Sequence, residues 1–476
     1  MRDGVSDRVI EIHQALHTLY TTYPPKKFPH FRYHTPMLKA RRYELAHARL
    51  DPASALARWL KLSGSSQGFV IEKTDAGQDL AFVAAAPFEV LRAGPKTKGN
   101  AFDRLGRKLA SYKTSATPYS TGAFGYLAYE MSRHLEALPA RLDLAEEALL
   151  MLFPQILVLD RRAGRAFLTQ TRPGKVKAEA LVAAFGQLPP ALSEKASRQA
   201  VRLPKMKGTL GRPAFLDGVR ELKRRIRAGD IFQGVLSESF TLPVKAAPLE
   251  VYRTLRRECP SPYLFLLKDG ESHILGASPE RLIAVEGGLA RNCPIAGTRP
   301  RGKTAASDKR LERAMVRSPK ERAEHLMLVD LARNDLGRVC RPGTIKVSEL
   351  LKVRRFSNVM HLVSEVEGRL EEGVGAWDAL KASFPAGTVS GAPKVRAMEL
   401  LAALEPKARG FYAGAVIQAD FSGNLDSCLA IRSMSLKRGV ARLQAGAGIV
   451  ADSSPEREYQ EVLNKLAGLR RALALL

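Results

Sequence analysis

Acidic residues are scarce in this chain. Its 476 residues hold 48 aspartates and glutamates against 75 lysines and arginines, a formal net charge of +27. A surplus of that size can serve nucleic acid, an anionic membrane or an anionic small substrate. The cations are spread along the chain, with only short clusters such as "ELKRRIR" (221–227) and "KVRRF" (352–356). No helix-turn-helix, zinc-finger or aromatic-basic RNA signature accompanies them. No nucleic-acid partner is therefore expected, and a solvated basic surface that also draws in an acidic metabolite is the simpler reading, although the sequence does not give the reason for the charge. Cysteine is scarce too. Cys259, Cys293, Cys340 and Cys428 have no CxxC spacing, which excludes a cysteine zinc site and a disulfide framework and fits a reduced cytoplasm. No apolar run reaches the roughly 18 residues that a membrane span needs. The opening "MRDGVSDRVIEIHQALHTLY" has acidic residues and no apolar core or cleavage site, so it does not read as a secretory signal.

Apolar residues are plentiful, at 45%, enough for a large core and for two to four domains by length. Residues 1–60 read as a helical, basic lead-in broken by "YPPKKFPHF". From about 68 to 170, strand-like runs alternate with turns: "GFVIEK", "DLAFVAAAP", "GAFGYLAYE", "PQILVLDRR" and "AFLTQT". Residues 172–212 read as a looser connector around one apolar helix. Beyond 213 come a helix ("FLDGVRELKRRIRAGD"), strands at 231–242, 263–268, 272–276 and 281–295, an amphipathic helix at about 319–336, further strands, and a last helix from about 455. Strands outnumber βαβ alternations, so the expected class is α+β, with two packed, mainly antiparallel sheets flanked by helices.

Several stretches could carry chemistry. "AGAGIVADS" (445–453) spaces Gly446, Gly448 and Ala451 like a dinucleotide fingerprint. Too little chain follows to supply the second strand and its acidic residue, so no nicotinamide site is expected. Two glycines still let backbone N–H groups approach an anion. In "SPEREYQEVLNKL" (454–466), Ser454 and Pro455 suit a helix start, and Glu458, Glu461 and Lys465 share one face. An exposed charged face fits that spacing equally. In "KERAEHLMLVDLARND" (320–335), Glu324 lies beside the apolar stripe of Leu328 and Leu331, where a carboxylate needs a cation. Two such glutamates could hold Mg²⁺, which takes few carboxylates plus water and substrate oxygens. In "GASPERL" (276–282), Glu280 could be a partly desolvated general acid or an edge-strand glutamate. His361, in the apolar run "NVMHLVSEV", could equally be structural.

Taken in order, "GDIFQGVLS", "PSPYLF", "GASPE", "PIAGTRPRG", "ERAEHLMLVDLARNDLGRV", "SNVMHLVSEVEG", "GTVSGAPKVRAMEL", "YAGAV", "AGAGIVADS" and "EREYQEVLNK" resemble the chorismate-binding enzymes, most closely the anthranilate synthase component I family. The match is dense over about 213–472 and looser upstream, at "GAFGYLAYEMSRHLEALP". It divides the chain into an N-terminal region (1–205), with a possible effector site, and a catalytic region (206–476). The resemblance implies Mg²⁺ held by Glu324 and Glu461, with Glu458 close by. It implies substrate contacts from Gly297, Thr298, Tyr412, Arg432, Lys465 and the backbone of Gly446, Ala447 and Gly448. Glu280 matches the acid that protonates the departing C4 hydroxyl, and His361 a histidine tied to loss of pyruvate.

Two positions bear on the nucleophile. Relatives that make aminodeoxychorismate carry a lysine where Ala296 stands, and that amine attacks C2. Isochorismate and salicylate synthases carry a lysine in place of Gln233, which activates water. This chain has neither amine, so the resemblance implies a small external nucleophile, ammonia. The product would be anthranilate, with aminodeoxychorismate as the alternative. No Cys-His-Glu amidotransferase segment is present, so a separate glutamine amidotransferase subunit and a cytoplasmic hetero-oligomer are expected. Tryptophan-inhibited relatives resemble "PSPYLF" at Pro262, Tyr263 and Leu264, opposite a strand spelled Leu-Leu-Glu-Ser. Here that strand reads "VIEK" (70–73), so Lys73 replaces the serine. A long cation there is expected to repel the effector's ammonium and crowd its indole.

Overall fold

A computed structural model describes residues 37–46, 49–75, 77–114, 119–191, 197, 199, 202–302, 304–355 and 359–476. The start of the expected helical lead-in (1–36) lies outside the described residues. Its later part is helical at Pro52–Ser63, as expected, but Arg41–Leu45 is a strand. That helix begins where the Asp51 carboxylate accepts from Ser54 N at 3.0 Å and Pro52 takes the first turn.

The described chain forms two compact units, Gly288–Ser383 and a larger one drawn from the described residues of 37–287 and 384–476. These cuts fall elsewhere than residue 205. In the larger unit, Gln67–Asp75 pairs antiparallel with Tyr263–Asp269, so strands of the N-terminal and catalytic regions share one sheet. That sheet has 12 described strands. Its path runs from Lys207–Gly208 through Gln233–Pro243, Val440–Ile449, Ser433–Lys437, Ser272–Ser278 and Tyr263–Asp269. It continues through Gln67–Asp75, Gln78–Ala85, Gln155–Asp160 and Arg165–Gln170 to Arg41–Leu45, with Gly391–Ala392 pairing off Gln233–Pro243. A second antiparallel run, Arg281–Glu286, Leu425–Leu429, Ala415–Asp420, Gly122–Leu127, Ala148–Leu152 and Glu89–Ala93, lies in the same unit. The two meet through aromatic rings: Phe69 stacks on Phe124 at 3.8 Å, and Phe153 sets its edge to Phe69 at 5.0 Å. All three are fully buried, and such contacts add to the burial of the rings' apolar area.

The final helix, Pro455–Ala474, starts at the predicted place with Pro455 in its first turn. Ser454 precedes it but makes no side-chain cap bond. Val462, Leu466, Leu469 and Ala472 are buried, the spacing of one helix stripe. This stripe leaves Glu458, Glu461 and Lys465 on another face.

In the unit Gly288–Ser383, Val359–Arg369 pairs with Leu289–Asn292, Ile295–Pro300 and Lys346–Arg355. The predicted strand 281–295 is in fact split. Gly287 and Gly288 take φ +55° and +76° and end its first piece at Glu286. The helix Pro319–Gly337 matches its prediction closely. Ser318 Oγ accepts from Glu321 N, and Leu328, Val329, Ala332 and Leu336 are buried.

Candidate active site

The larger unit gathers Glu280, Tyr412, Arg432, the 446–448 backbone, Glu458, Glu461 and Lys465. Glu280 stands just before the strand Arg281–Glu286 and is 9% exposed. The Thr388 hydroxyl donates to its Oε1 at 2.8 Å. Burial raises the carboxyl to about 7, against the lowering pull of that hydroxyl and of the cations Lys465 and Arg432. The group therefore holds a proton near neutral pH, the state a general acid needs.

Arg432 adopts φ +50°, an uncommon conformation for a residue with a Cβ. Its Nη1 donates to the carbonyl of Lys465 at 3.3 Å. Among the described residues no carboxylate lies within ion-pair distance of it. Burial lowers its pKa, with Glu461 and Tyr412 opposing. A half-buried guanidinium with no carboxylate at ion-pair distance among the described residues is costly, and its planar fork suits an incoming carboxylate. Lys465 Nζ donates to Gly446 O at 2.9 Å and stands 3.5 Å from Glu461 Oε1. Desolvation lowers its pKa, although 30% of the side chain remains exposed.

Gly446 and Gly448 lie inside the strand Val440–Ile449 rather than in a loop. Gly446 sits opposite Ser237 and Gly448 opposite Val235. A Cβ at Gly446 would come within 2.9 Å of both Leu236 O and Tyr412 Oη. A Cβ at Gly448 would meet Gln233 Nε2 at 2.6 Å. The glycines thus let Tyr412 and Gln233 close on the strand, while Ala447 between them is buried. Tyr412 is itself buried, and desolvation raises its phenol to about 12, so it stays protonated and able to donate.

The unit Gly288–Ser383 carries Ala296, Gly297, Thr298, His361 and Glu324. Thr298 pairs with His361 across two strands, and His361 Nδ1 is 3.2 Å from Gly297 O. Gly297 takes φ +63°, and a Cβ there would meet Glu321 Oε2 at 2.8 Å. Glu321 also pairs with Arg299 at 2.9 Å. Ala296 is 8% exposed. Glu324 is half-buried on Pro319–Gly337.

Among the described residues, no three His, Cys, Asp or Glu side chains are preassembled around a metal position. Glu458 is half-buried and Glu461 exposed, both on one helix face, and Glu324 stands on its own helix. Hard oxygen donors supplied one or two at a time fit Mg²⁺, which completes its shell with water and substrate oxygens.

Sequence reasoning missed Thr388. It lies within the quoted "GTVSGAP", on the short 3₁₀ turn Gly387–Val389, where a hydroxyl beside Gly387 was the available signal. It also missed Asp426. Lys73 lies opposite Tyr263 in the sheet. Its Nζ is 2.8 Å from Asp426 Oδ2, and Tyr263 donates to Oδ1 at 3.0 Å. Arg281 Nε donates to Tyr263 Oη at 2.8 Å. Burial pushes the Asp426 carboxyl up, but Lys73 and Arg281 outweigh it and hold the pKa below its ordinary value. Lys73 is thus no isolated positive charge, and the expected repulsion of an ammonium is largely cancelled. Pro262 accepts from Thr74 N at 2.8 Å, and Leu264 is buried opposite Glu72.

The profile of the chorismate binding enzyme family matches residues 40–471. Anthranilate synthase component 1 of Streptomyces coelicolor is 41% identical over 451 residues, 89% of this chain and 88% of that protein. The crystal structure of anthranilate synthase component I from Streptococcus pneumoniae superposes with a TM-score of 0.69 at 30% identity, covering 95% of this chain and 97% of that one. The menaquinone-specific isochorismate synthase of Escherichia coli reaches a TM-score of 0.71 at 21% identity, covering 97% and 99%, a likeness of fold alone.

Proposed function

Because this chain belongs to the chorismate-binding enzymes, we propose that it is the synthase subunit of an anthranilate synthase, converting chorismate and ammonia to anthranilate, pyruvate and water. The observation that carries this reading is the pairing of two functions in the larger unit. Arg432 offers a guanidinium with no carboxylate partner among the described residues, and Glu280 is a buried carboxyl raised to about 7. The first suits a substrate carboxylate and the second a leaving hydroxyl.

Ammonia adds at C2 of chorismate while Glu280 gives its proton to the C4 hydroxyl, which leaves as water. The aminated ring then loses pyruvate and becomes aromatic, with His361 assigned to that stage. Lys465 and Arg432 hold the anion, and the backbone of 446–448 with Tyr412 frames it. Glu324 and Glu461, with Glu458 nearby, would hold Mg²⁺, whose contribution is electrostatic clamping of the ring carboxylate. Glu324→Gln and Glu461→Gln are each expected to abolish turnover at limiting Mg²⁺ with circular dichroism unchanged. Near-normal rates in both would remove the metal assignment.

The buried methyl of Ala296 and the neutral amide of Gln233 supply no internal amine, which favours external ammonia over the aminodeoxychorismate route. The relatives' designation as component 1 accords with a second component that delivers ammonia from glutamine. Four cysteines without CxxC spacing accord with a reducing cytoplasm, and no described helix is long and apolar enough to cross a membrane. The isolated chain should turn over chorismate with ammonium, and with glutamine only after an amidotransferase subunit is added. Glutamine-driven anthranilate from the chain alone would contradict this.

At the effector position, Lys73 occupies with its own amine the carboxylate that an amino acid's ammonium would need. Half-inhibition is therefore not expected at micromolar tryptophan, whereas Lys73→Ser, which frees Asp426 and opens space, should gain sensitivity. Turnover measured against tryptophan concentration decides it. Micromolar inhibition of the unmodified chain would overturn the assignment.

A further inference from the structure

The reaction as described has no use for Arg409, yet this side chain ties together three walls of the larger unit's site. It is 3% exposed. Its Nε and Nη2 donate to the two oxygens of Glu405, each at 2.7 Å. Nη1 donates to Val389 O at 2.7 Å, and Nη2 also to Val235 O at 2.6 Å. Val389 follows Thr388, the donor to Glu280. Val235 lies opposite Gly448. Tyr412 follows three residues after Arg409, with its ring centroid 5.9 Å from the guanidinium. Glu405 Oε1 additionally accepts from Ser237 N and Oγ at 2.9 and 2.8 Å, and Ser237 stands opposite Gly446. Behind this, the Glu130 carboxyl takes the N–H groups of Arg409 and Gly410 at 2.7 and 3.0 Å.

We propose that Arg409, clamped by Glu405, is a positioning residue for the proton-donating step: through Val389 it fixes the turn that presents Thr388 to Glu280, and through Val235 it fixes the strand facing the 446–448 backbone. This rests on the reading of Glu280 as the acid. A general buried ion pair could be replaced by apolar side chains at little cost in stability. What such a replacement would lose here is four directed bonds, two of which end on the site-forming carbonyls of Val389 and Val235 and two on the Glu405 carboxylate. Small displacements of reacting groups are expensive in rate, about 10²-fold for a misplacement of about 1 Å.

The test uses ammonia-driven turnover at fixed free ammonia across pH. The unmodified chain must first show chorismate turnover with an alkaline limb. If it does not, the reading of the site fails and this inference is not what failed. Arg409→Lys keeps the charge but not the fork. It is expected to lower kcat about 10- to 100-fold, to change KM only a few fold, and to move the alkaline limb upward. The shift arises because the Thr388 bond lowers the pKa of Glu280. The other charged groups facing Glu280 are Lys465 and Arg432, and none of these variants alters them. Thr388→Val should reproduce the shift, and adding it to Arg409→Lys should not enlarge it. Glu130 also titrates near 7, but Thr388→Val leaves it in place, so a shift there belongs to Glu280. Should Arg409→Lys fold poorly, Arg409→Met combined with Glu405→Met removes both charges and serves instead. A folded Arg409 variant with the unmodified limb and kcat overturns the proposal, as does an unmoved limb in Thr388→Val.

Discussion

Glu280→Gln is expected to lower kcat for ammonia-dependent anthranilate formation by about 10²- to 10⁴-fold, the range that a positioned general acid supplies. KM for chorismate should stay within a few fold, because the amide keeps the shape of the carboxyl. The unmodified chain should lose kcat/KM as pH rises through about 7, the value to which burial raises Glu280. The sign follows from the role: an acid must be protonated, and the carboxyl is protonated below its pKa. Glu280→Gln cannot titrate, so its low residual rate should lack that limb. Rates at constant free ammonia, with product followed by fluorescence, check both parts. A variant within tenfold of the parent would remove Glu280 from the chemistry.

Arg432→Met is expected to raise KM for chorismate far more than it lowers kcat. Removing one partner of a buried, hydrogen-bonded charge pair costs about 2–5 kcal/mol, or roughly 30- to several-thousand-fold in affinity. The same variant should be no less stable than the parent. Arg432 has no counter-carboxylate within reach among the described residues, and burial already disfavours its charge. Loss of substrate affinity with an equal or higher melting temperature would mark a side chain held for its ligand. Arg432→Lys should fall between, keeping charge without the fork. An unchanged KM in Arg432→Met, or a loss of activity matched by unfolding, would move the substrate carboxylate elsewhere.

The elements that follow local rules were legible in the sequence. Pro319–Gly337 and Pro455–Ala474 begin at a serine followed by proline and carry apolar stripes, so spacing located them. The alternating runs between 68 and 170 became antiparallel strands for the same reason. What spacing could not supply was partners distant in sequence. Lys73 looked like a stray cation because Asp426 is remote in the chain. Thr388 is remote from Glu280 in the chain, and only the fold brings its hydroxyl to that carboxyl. Arg409 lay among ordinary residues before "YAGAV", and its partners Val235 and Val389 are backbone carbonyls, which no side-chain pattern announces. Gly446 and Gly448 suit the close approach of backbone N–H groups to an anion. The structure adds that they also make room for Tyr412 and Gln233.

An anthranilate synthase subunit must both aminate chorismate at C2 and complete the elimination of pyruvate. The direct measurement incubates the purified chain with chorismate, Mg²⁺ and ammonium at mildly alkaline pH and identifies every product by mass. Anthranilate and pyruvate in equal amounts are predicted, with no isochorismate accumulating when ammonium is omitted. Aminodeoxychorismate as the end product, or isochorismate formed without ammonia, would contradict the account.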